Sequence, residues 1–330
     1  MTEDWENGGF GIYIHWPFCT AKCPYCDFNS HVRSNINQKQ WLKAYLNEIK
    51  RVSEKTSNRI LNSVFFGGGT PSLIEPSIIG DVLNEIQKHW KTKNNFEVTL
   101  EANPGSVDSK NFKAYKEAGI NRTSMGIQSL NTKDLKALGR THTVEEALAA
   151  FEIARQNFKA VSFDLIYARQ NQNISQWEKE LSLALSLEAS HMSLYQLTIE
   201  QGTAFGDRYN RGLLKGLPND DTSADMYDLT LCLCEDRGLV SYEVSNYAHQ
   251  GYESIHNLIY WRYGDYIGIG PGAHGRLTID GKKYATETVL SPEAWLKKVE
   301  CDGSGESNSV VLTDQQQAAE FVMMGLRLKE

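Results

Sequence analysis

Between about residues 11 and 200 the chain alternates short β-rich runs with amphipathic helical stretches, six times in succession. The β-rich runs fall at 12–15, 63–66, 97–101, 122–127, 161–166 and 192–197. Between them, Leu42, Tyr45, Leu46, Ile49 and Val52 recur at helical spacing, as do Ile79, Val82, Leu83 and Ile86. Two later helices open on apparent capping boxes, Thr143 with Glu146 and Ser175 with Glu178. Gly119, Gly139 and Gly238 each follow a helical pattern, where a left-handed residue is wanted. Six βα units imply an α/β protein with a parallel sheet covered by helices. Right-handed crossovers would curl that sheet into a full or partial barrel with ligands at the C-terminal strand ends. An open doubly wound sheet fits the same alternation. After Leu197 the rhythm changes to a helix near 223–237, a tract at 242–247 and an aromatic, glycine-rich run over 256–275. A last helix is expected to begin near Asp314 and to continue to Glu330.

Composition narrows the partners. Lys and Arg total 34 against 41 Asp and Glu, a net charge of −7, which argues against nucleic acid. With 41% hydrophobic and 23% charged residues the chain can build a core and is too balanced for disorder. No run approaches the ~18 apolar residues of a transmembrane segment. The start, MTEDWENGG, is acidic and resembles neither a secretory signal nor a transit peptide, so a cytoplasmic protein is expected.

Six cysteines are too few for a disulfide scaffold, and three of them crowd together. Cys19, Cys23 and Cys26 form a C-x3-C-x2-C array in the loop after the first strand. Three thiolates on one loop can converge on an iron–sulfur cluster or on zinc. Zinc would want a fourth ligand, and no second closely spaced pair supplies it. A four-iron cluster on three cysteines leaves one iron free to bind something else. Unliganded thiols are the third alternative. Cys232 and Cys234, in a helical stretch, read as small buried hydrophobes. The second strand runs directly into Gly67-Gly68-Gly69-Thr70-Pro71-Ser72, where consecutive glycines let a ligand approach the backbone closely.

The cysteine array and this glycine motif together resemble the radical S-adenosylmethionine (SAM) superfamily. Further pieces narrow the resemblance: Glu101-Ala102-Asn103-Pro104, Gly126-Ile127-Gln128-Ser129, Asp164-Leu165-Ile166-Tyr167, Tyr242-Glu243-Val244-Ser245-Asn246-Tyr247-Ala248 and Gly268-Ile269-Gly270-Pro271-Gly272-Ala273-His274. Their order and spacing are similar to the oxygen-independent coproporphyrinogen III oxidase family over nearly the whole chain. The resemblance implies a partial (β/α)6 barrel over residues 8–240 and an α+β extension over 241–330, with a small C-terminal domain of the family missing. It implies a [4Fe–4S] cluster on Cys19, Cys23 and Cys26. It also implies SAM contacts from Tyr13, Tyr25, Gly68, Gly69, Thr70, Glu101, Gln128, Arg140 and Asp164. One departure is visible: Ala168-Arg169-Gln170-Asn171-Gln172 stands where the family usually carries Gly-Leu-Pro-Gly-Gln.

Within that family the oxidases place a further cysteine one residue after the third cluster ligand, and here that position is Phe28. Only 18 residues precede Cys19, too few for the enclosing N-terminal arm of the oxidases. His256-Asn257-Leu258-Ile259-Tyr260-Trp261 looks like the HNxxYW signature of the HemW branch, whose members bind haem and pass it to acceptor proteins. By that resemblance His256 is the expected axial ligand, with His15 and His274 as secondary candidates. A hydrogen-bonded packing role for His256 is the competing reading. Three functions are therefore carried forward: a haem chaperone with cluster and SAM, a SAM-cleaving coproporphyrinogen III oxidase, and a zinc-stabilised binding module.

Overall fold

The computed structural model describes residues 4–106 and 109–329. Six strands lie side by side in the order in which they occur along the chain: Phe10–Trp16, Ile60–Gly68, Lys91–Ala102, Arg122–Gln128, Ala160–Tyr167 and His191–Gln196. Each pairs in parallel with its predecessor. A doubly wound sheet would reverse its order at a switch point. Here every strand is added outside the last, so the crossovers turn one way and the sheet is of the barrel type. The strands are buried along most of their length, as expected of parallel strands covered by helices.

Local signals place most helices correctly, with two informative shifts. The helix Gln38–Thr56 buries Trp41, Ala44, Tyr45 and Ile49, whereas Leu42 and Leu46 are only half-buried. Its inward stripe is rotated because Trp41 stacks on Trp295 of the helix Pro292–Asp302, with ring centroids 5.4 Å apart and planes 8° from parallel. The box of Thr143 and Glu146 is present. The one expected at Ser175 and Glu178 is not: Ser175 lies inside the helix Ile174–Leu185, which Asn173 and Gln176 cap reciprocally. Asn accepts from the orphan amides as well as Ser does, so the helix starts two residues earlier than a Ser-based reading allows. Gly119, Gly139 and Gly238 all adopt positive φ.

Beyond the sixth strand the chain adds to both edges of the same sheet. Two short antiparallel strands, Val240–Ser241 and Asn246–Ala248, extend the His191–Gln196 edge, with a turn between them inside the 242–247 tract. The chain then returns through the helix Ile255–Trp261 to the opposite edge. There Asp265–Ile269 pairs in parallel with the first strand, and His274–Ile279, Lys282–Thr288 and Glu306–Val311 follow antiparallel. The last helix spans Asp314–Gly325 and does not run to the chain end. A turn follows it, and Leu328 bridges back to Glu243. Among the described residues no helix is long and apolar enough to cross a membrane.

Candidate cluster and cofactor site

The C-terminal ends of the first five strands converge on one cavity of about 720 Å³, counting its open mouth. Cys19, Cys23, Tyr25 and Cys26 enter from the loop after the first strand, and Gly68, Gly69 and Thr70 from the end of the second. Glu101, Gln128 and Asp164 come from the next three strands, and Arg140 from the segment after the short helix Thr132–Ala137. Eleven of the thirteen residues singled out in the sequence thus line one pocket. Tyr13 and His256 do not.

The three cysteines are free thiols, Cys19 buried and the others half-buried. Burial pushes the Cys19 and Cys26 thiols above their usual range. Arg140 donates from Nη1 to Cys23 Sγ (3.2 Å) and from Nη2 to the Gly126 carbonyl (2.7 Å), which fixes a guanidinium beside the thiols. Among the described residues no three His, Cys, Asp or Glu side chains converge closely enough to share one metal ion. All three cysteines line the same cavity. Cys232 and Cys301 are exposed and Cys234 is buried, so only Cys234 behaves as the hydrophobe expected of its pair.

The glycine turn is built by close approach. A Cβ on Gly69 would sit 2.7 Å from the Phe18 carbonyl oxygen, and Gly68 has φ +111. The amides here are already engaged: Gly69 N–H donates to Trp16 O, Thr70 N–H to Phe18 O, and Gly68 N–H to Glu101 Oε2 (3.1 Å). Across the pocket, Gln128 holds φ +74, a conformation that costs about 1–2 kcal/mol for a residue with a Cβ. Its Oε1 and the Arg140 Nε are buried without a hydrogen-bond partner. One acceptor and one donor are thus left unpaired on residues that line the cavity, which fits a ligand as polar as SAM.

Two carboxylates face that space. Burial, reinforced by the Asp164 charge, pushes Glu101 up to about 8. Burial also raises Asp164 to about 6, opposed by hydrogen bonds from Ser193 and Ser124. Ser124 donates to Asp164 Oδ1 at 3.1 Å; nothing in the sequence pattern marked it. The consequence for stability is directional. Glu101 keeps its proton in the folded, ligand-free site up to about pH 8, while an unfolded glutamate releases it near 4.5. The folded state binds the extra proton in between, so stability falls as pH rises through that window. Buried His15, His142, His191 and His256 have lowered pKa values and act in the opposite direction until their unfolded forms lose the proton, so the Glu101 contribution is read as a difference from Glu101→Gln. We therefore expect the denaturation midpoint of SAM-free protein to fall relative to that of Glu101→Gln between pH 6.5 and 8. The same pH slope in both proteins would assign the effect elsewhere.

The departure at 168–172 puts two non-glycine residues in the left-handed region. Ala168 and Asn171 occupy the two glycine positions and adopt φ of 55 and 60. Arg169, buried, anchors the loop by donating to Asp134 Oδ2 (2.9 Å), to Glu180 and to the Ile166 carbonyl.

A second, larger cavity of about 1110 Å³ opens beside the first and shares Phe28, Gly68 and Glu101 with it. Tyr13 lies here, its hydroxyl 3.0 Å from His15 Nδ1, so it sits at the junction and not within the cluster pocket. Tyr260, Trp261, Tyr263, Tyr266 and Met324 give this cavity an apolar wall. Sequence reasoning reached Tyr260 and Trp261 through their motif and missed Tyr263, Tyr266 and Met324, which no local signal connects. His256 lies behind the wall, 1% exposed. Its Nδ1 is 2.8 Å from Ser63 Oγ and its Nε2 is 2.8 Å from the Tyr260 hydroxyl. Burial lowers its pKa to about 3, so the ring is neutral.

A parallel barrel-type sheet with cysteines, glycine turn and carboxylates at its C-terminal end defines a class: residues 13–184 match the radical SAM superfamily, and the chain belongs to it, in the HemN-like branch. The cofactors of that superfamily are a [4Fe–4S] cluster and SAM. Among curated relatives, radical S-adenosyl methionine domain-containing protein 1, mitochondrial, of Danio rerio is 39% identical over 324 residues, covering 97% of this chain and 73% of its own. Heme chaperone HemW of Haemophilus influenzae is 43% identical over 273 residues (81% of this chain, 70% of its own). HemW of Escherichia coli K12 is 38% identical over 289 residues (87% and 75%). The solved structure of E. coli coproporphyrinogen III oxidase, HemN, superposes with a TM-score of 0.82 at 20% identity, over 97% of this chain and 75% of that one. That last likeness is one of fold.

Proposed function

We propose that this protein binds haem and delivers it to acceptor proteins, with a [4Fe–4S] cluster and SAM held at the mouth of its barrel. The observation that carries the proposal is the junction of the two cavities: a thiol- and carboxylate-lined pocket opens through Phe28, Gly68 and Glu101 into a wide aromatic one. The first has the donors for cluster and SAM. The second has the flat apolar surface a porphyrin needs. The names of the HemW relatives agree with such a cargo.

In this reading Cys19, Cys23 and Cys26 hold the cluster, and Arg140 offsets thiolate charge at Cys23. Gly68, Gly69 and Thr70 line the side that receives the amino group of SAM, while Gln128 Oε1 and Arg140 Nε find the partners they lack. Glu101 and Asp164 ionise against the cationic ligand and its ribose hydroxyls, and Tyr25 closes the cluster side. A cluster bound there supplies one electron and an iron with an open coordination position. A thiolate-held cluster suits a reducing compartment, and the proposed one is the cytoplasm.

The oxidase reading shares the fold and the first pocket. It meets Phe28, 57% exposed and lining both cavities, where an oxidase carries cysteine. The two readings separate in one experiment on anaerobically reconstituted protein. Added haem is expected to give a sharp Soret band and then to move to an apo-haem protein on mixing. Coproporphyrinogen III with SAM and reductant is expected to yield no vinyl product. Robust vinyl formation without haem transfer would overturn the chaperone assignment and establish the oxidase.

A further inference from the structure

The aromatic cavity presents an open imidazole, and it is not His256. Of the eight histidines, seven hydrogen-bond through at least one ring nitrogen: His15, His31, His89, His142, His191, His249 and His256. His274 alone has no such partner among the described residues, is exposed, and lines the cavity. It begins the strand His274–Ile279, where residues two apart share a face, so His274 and Arg276 point to the same side. Tyr266 stands in register with Arg276 on the neighbouring strand, and all three line the cavity.

Iron could reach His256 Nε2 only if the Tyr260 ring left its place, because the hydroxyl lies 2.8 Å from that nitrogen. Breaking this contact would strand a buried polar pair. His274 requires no such movement. Among the described residues Arg276 is the one Arg or Lys lining the cavity, and it is already neutralised: its Nε and Nη2 donate to Glu320 at 3.0 and 2.9 Å. An anionic ligand therefore gains no free charge inside, and what the walls select for is a flat apolar body with a soft electron-pair acceptor at its centre. A metalloporphyrin has that form, its propionates remaining at the open mouth.

We propose that the second cavity is the haem seat and that His274 supplies the axial nitrogen to the iron. The proposal rests on the haem reading above and deepens it. Nδ1 or Nε2 of neutral imidazole donates its lone pair to iron, with no change in oxidation state. Met324, on the same cavity wall, supplies a thioether within the same space.

The test is haem titration of anaerobically reconstituted protein, unaltered and as His274→Ala and His256→Ala. His274 is exposed and unpartnered, so its removal should leave fold, cluster content and SAM binding intact. We expect His274→Ala to weaken haem binding at least tenfold and to shift the Soret band, and free imidazole to restore both. His256→Ala should lower thermal stability while the folded fraction keeps the unaltered haem spectrum. Full affinity and an unchanged band in His274→Ala would overturn the assignment, as would loss of the band in folded His256→Ala. No haem uptake by the unaltered protein would overturn the haem reading itself, and this inference with it.

Discussion

Cys23→Ala should strip the protein of nearly all cluster iron and acid-labile sulfide after anaerobic reconstitution, and with it the broad visible absorption. The reason is stoichiometric. Cys19, Cys23 and Cys26 share one pocket, and the three remaining cysteines lie outside it, two exposed and one buried. No other thiol can take the vacated place. The loss should extend to SAM, since the open iron position goes with the cluster and Arg140 is left beside an alanine instead of a thiolate. Stability should change little, because Cys23 is half-buried and supports no core packing. Cys19→Ala and Cys26→Ala should match it, while Cys232→Ala and Cys301→Ala should retain full iron. Full cluster content in Cys23→Ala would sink the ligand assignment.

The largest effect on stability is expected far from the cofactors, where the returning strand Asp265–Ile269 docks on the barrel. Asp265, fully buried, accepts from Arg59 Nη1 (2.5 Å), Lys283 Nζ (2.8 Å), and the Thr278 amide and hydroxyl (2.5 and 3.0 Å). Arg59 and Lys283 are themselves 2% and 1% exposed, and Asp4 balances the second cation at 3.0 Å. Asp265→Ala would leave two buried cations facing one half-exposed carboxylate. Breaking a buried pair in this way costs about 3–5 kcal/mol, which lowers the melting temperature by roughly 10 °C in a chain of this size. Adding Lys283→Met should recover part of the loss, because most of the cost is stranded charge and not missing attraction. A loss below about 1 kcal/mol in Asp265→Ala would show that water reaches the network.

Much of this arrangement was legible in the order of residues. The six barrel strands follow from alternating β-rich and helical periods, which are local properties of the chain. The cluster ligands were legible because all three sit on one loop, where spacing alone limits how far apart the sulfurs can be. Their SAM-side neighbours could be named only through the family resemblance, since Glu101, Gln128 and Asp164 lie on three separate strands. Parallel topology brings them together by placing every strand end on one face.

What the tertiary structure alone decided lies where distant segments meet. Periodicity left barrel and doubly wound sheets equally open, and only the family resemblance favoured the barrel; the strand order agrees with it, because that order depends on which side each crossover packs. The inward stripe of the helix Gln38–Thr56 turned toward Trp295, about 250 residues away and invisible to any helical window. His256 and His274 show the same limit in the site. A motif marks His256, yet only the packed structure shows Ser63 and Tyr260 closing on its two nitrogens. His274 was only a secondary candidate in the sequence; it matters because one strand carries it to a cavity whose other walls come from six further stretches of the chain. Residue type and spacing determine which groups this chain can offer to a ligand. Burial and hydrogen bonding, which are long-range, determine which of them are still free to bind it.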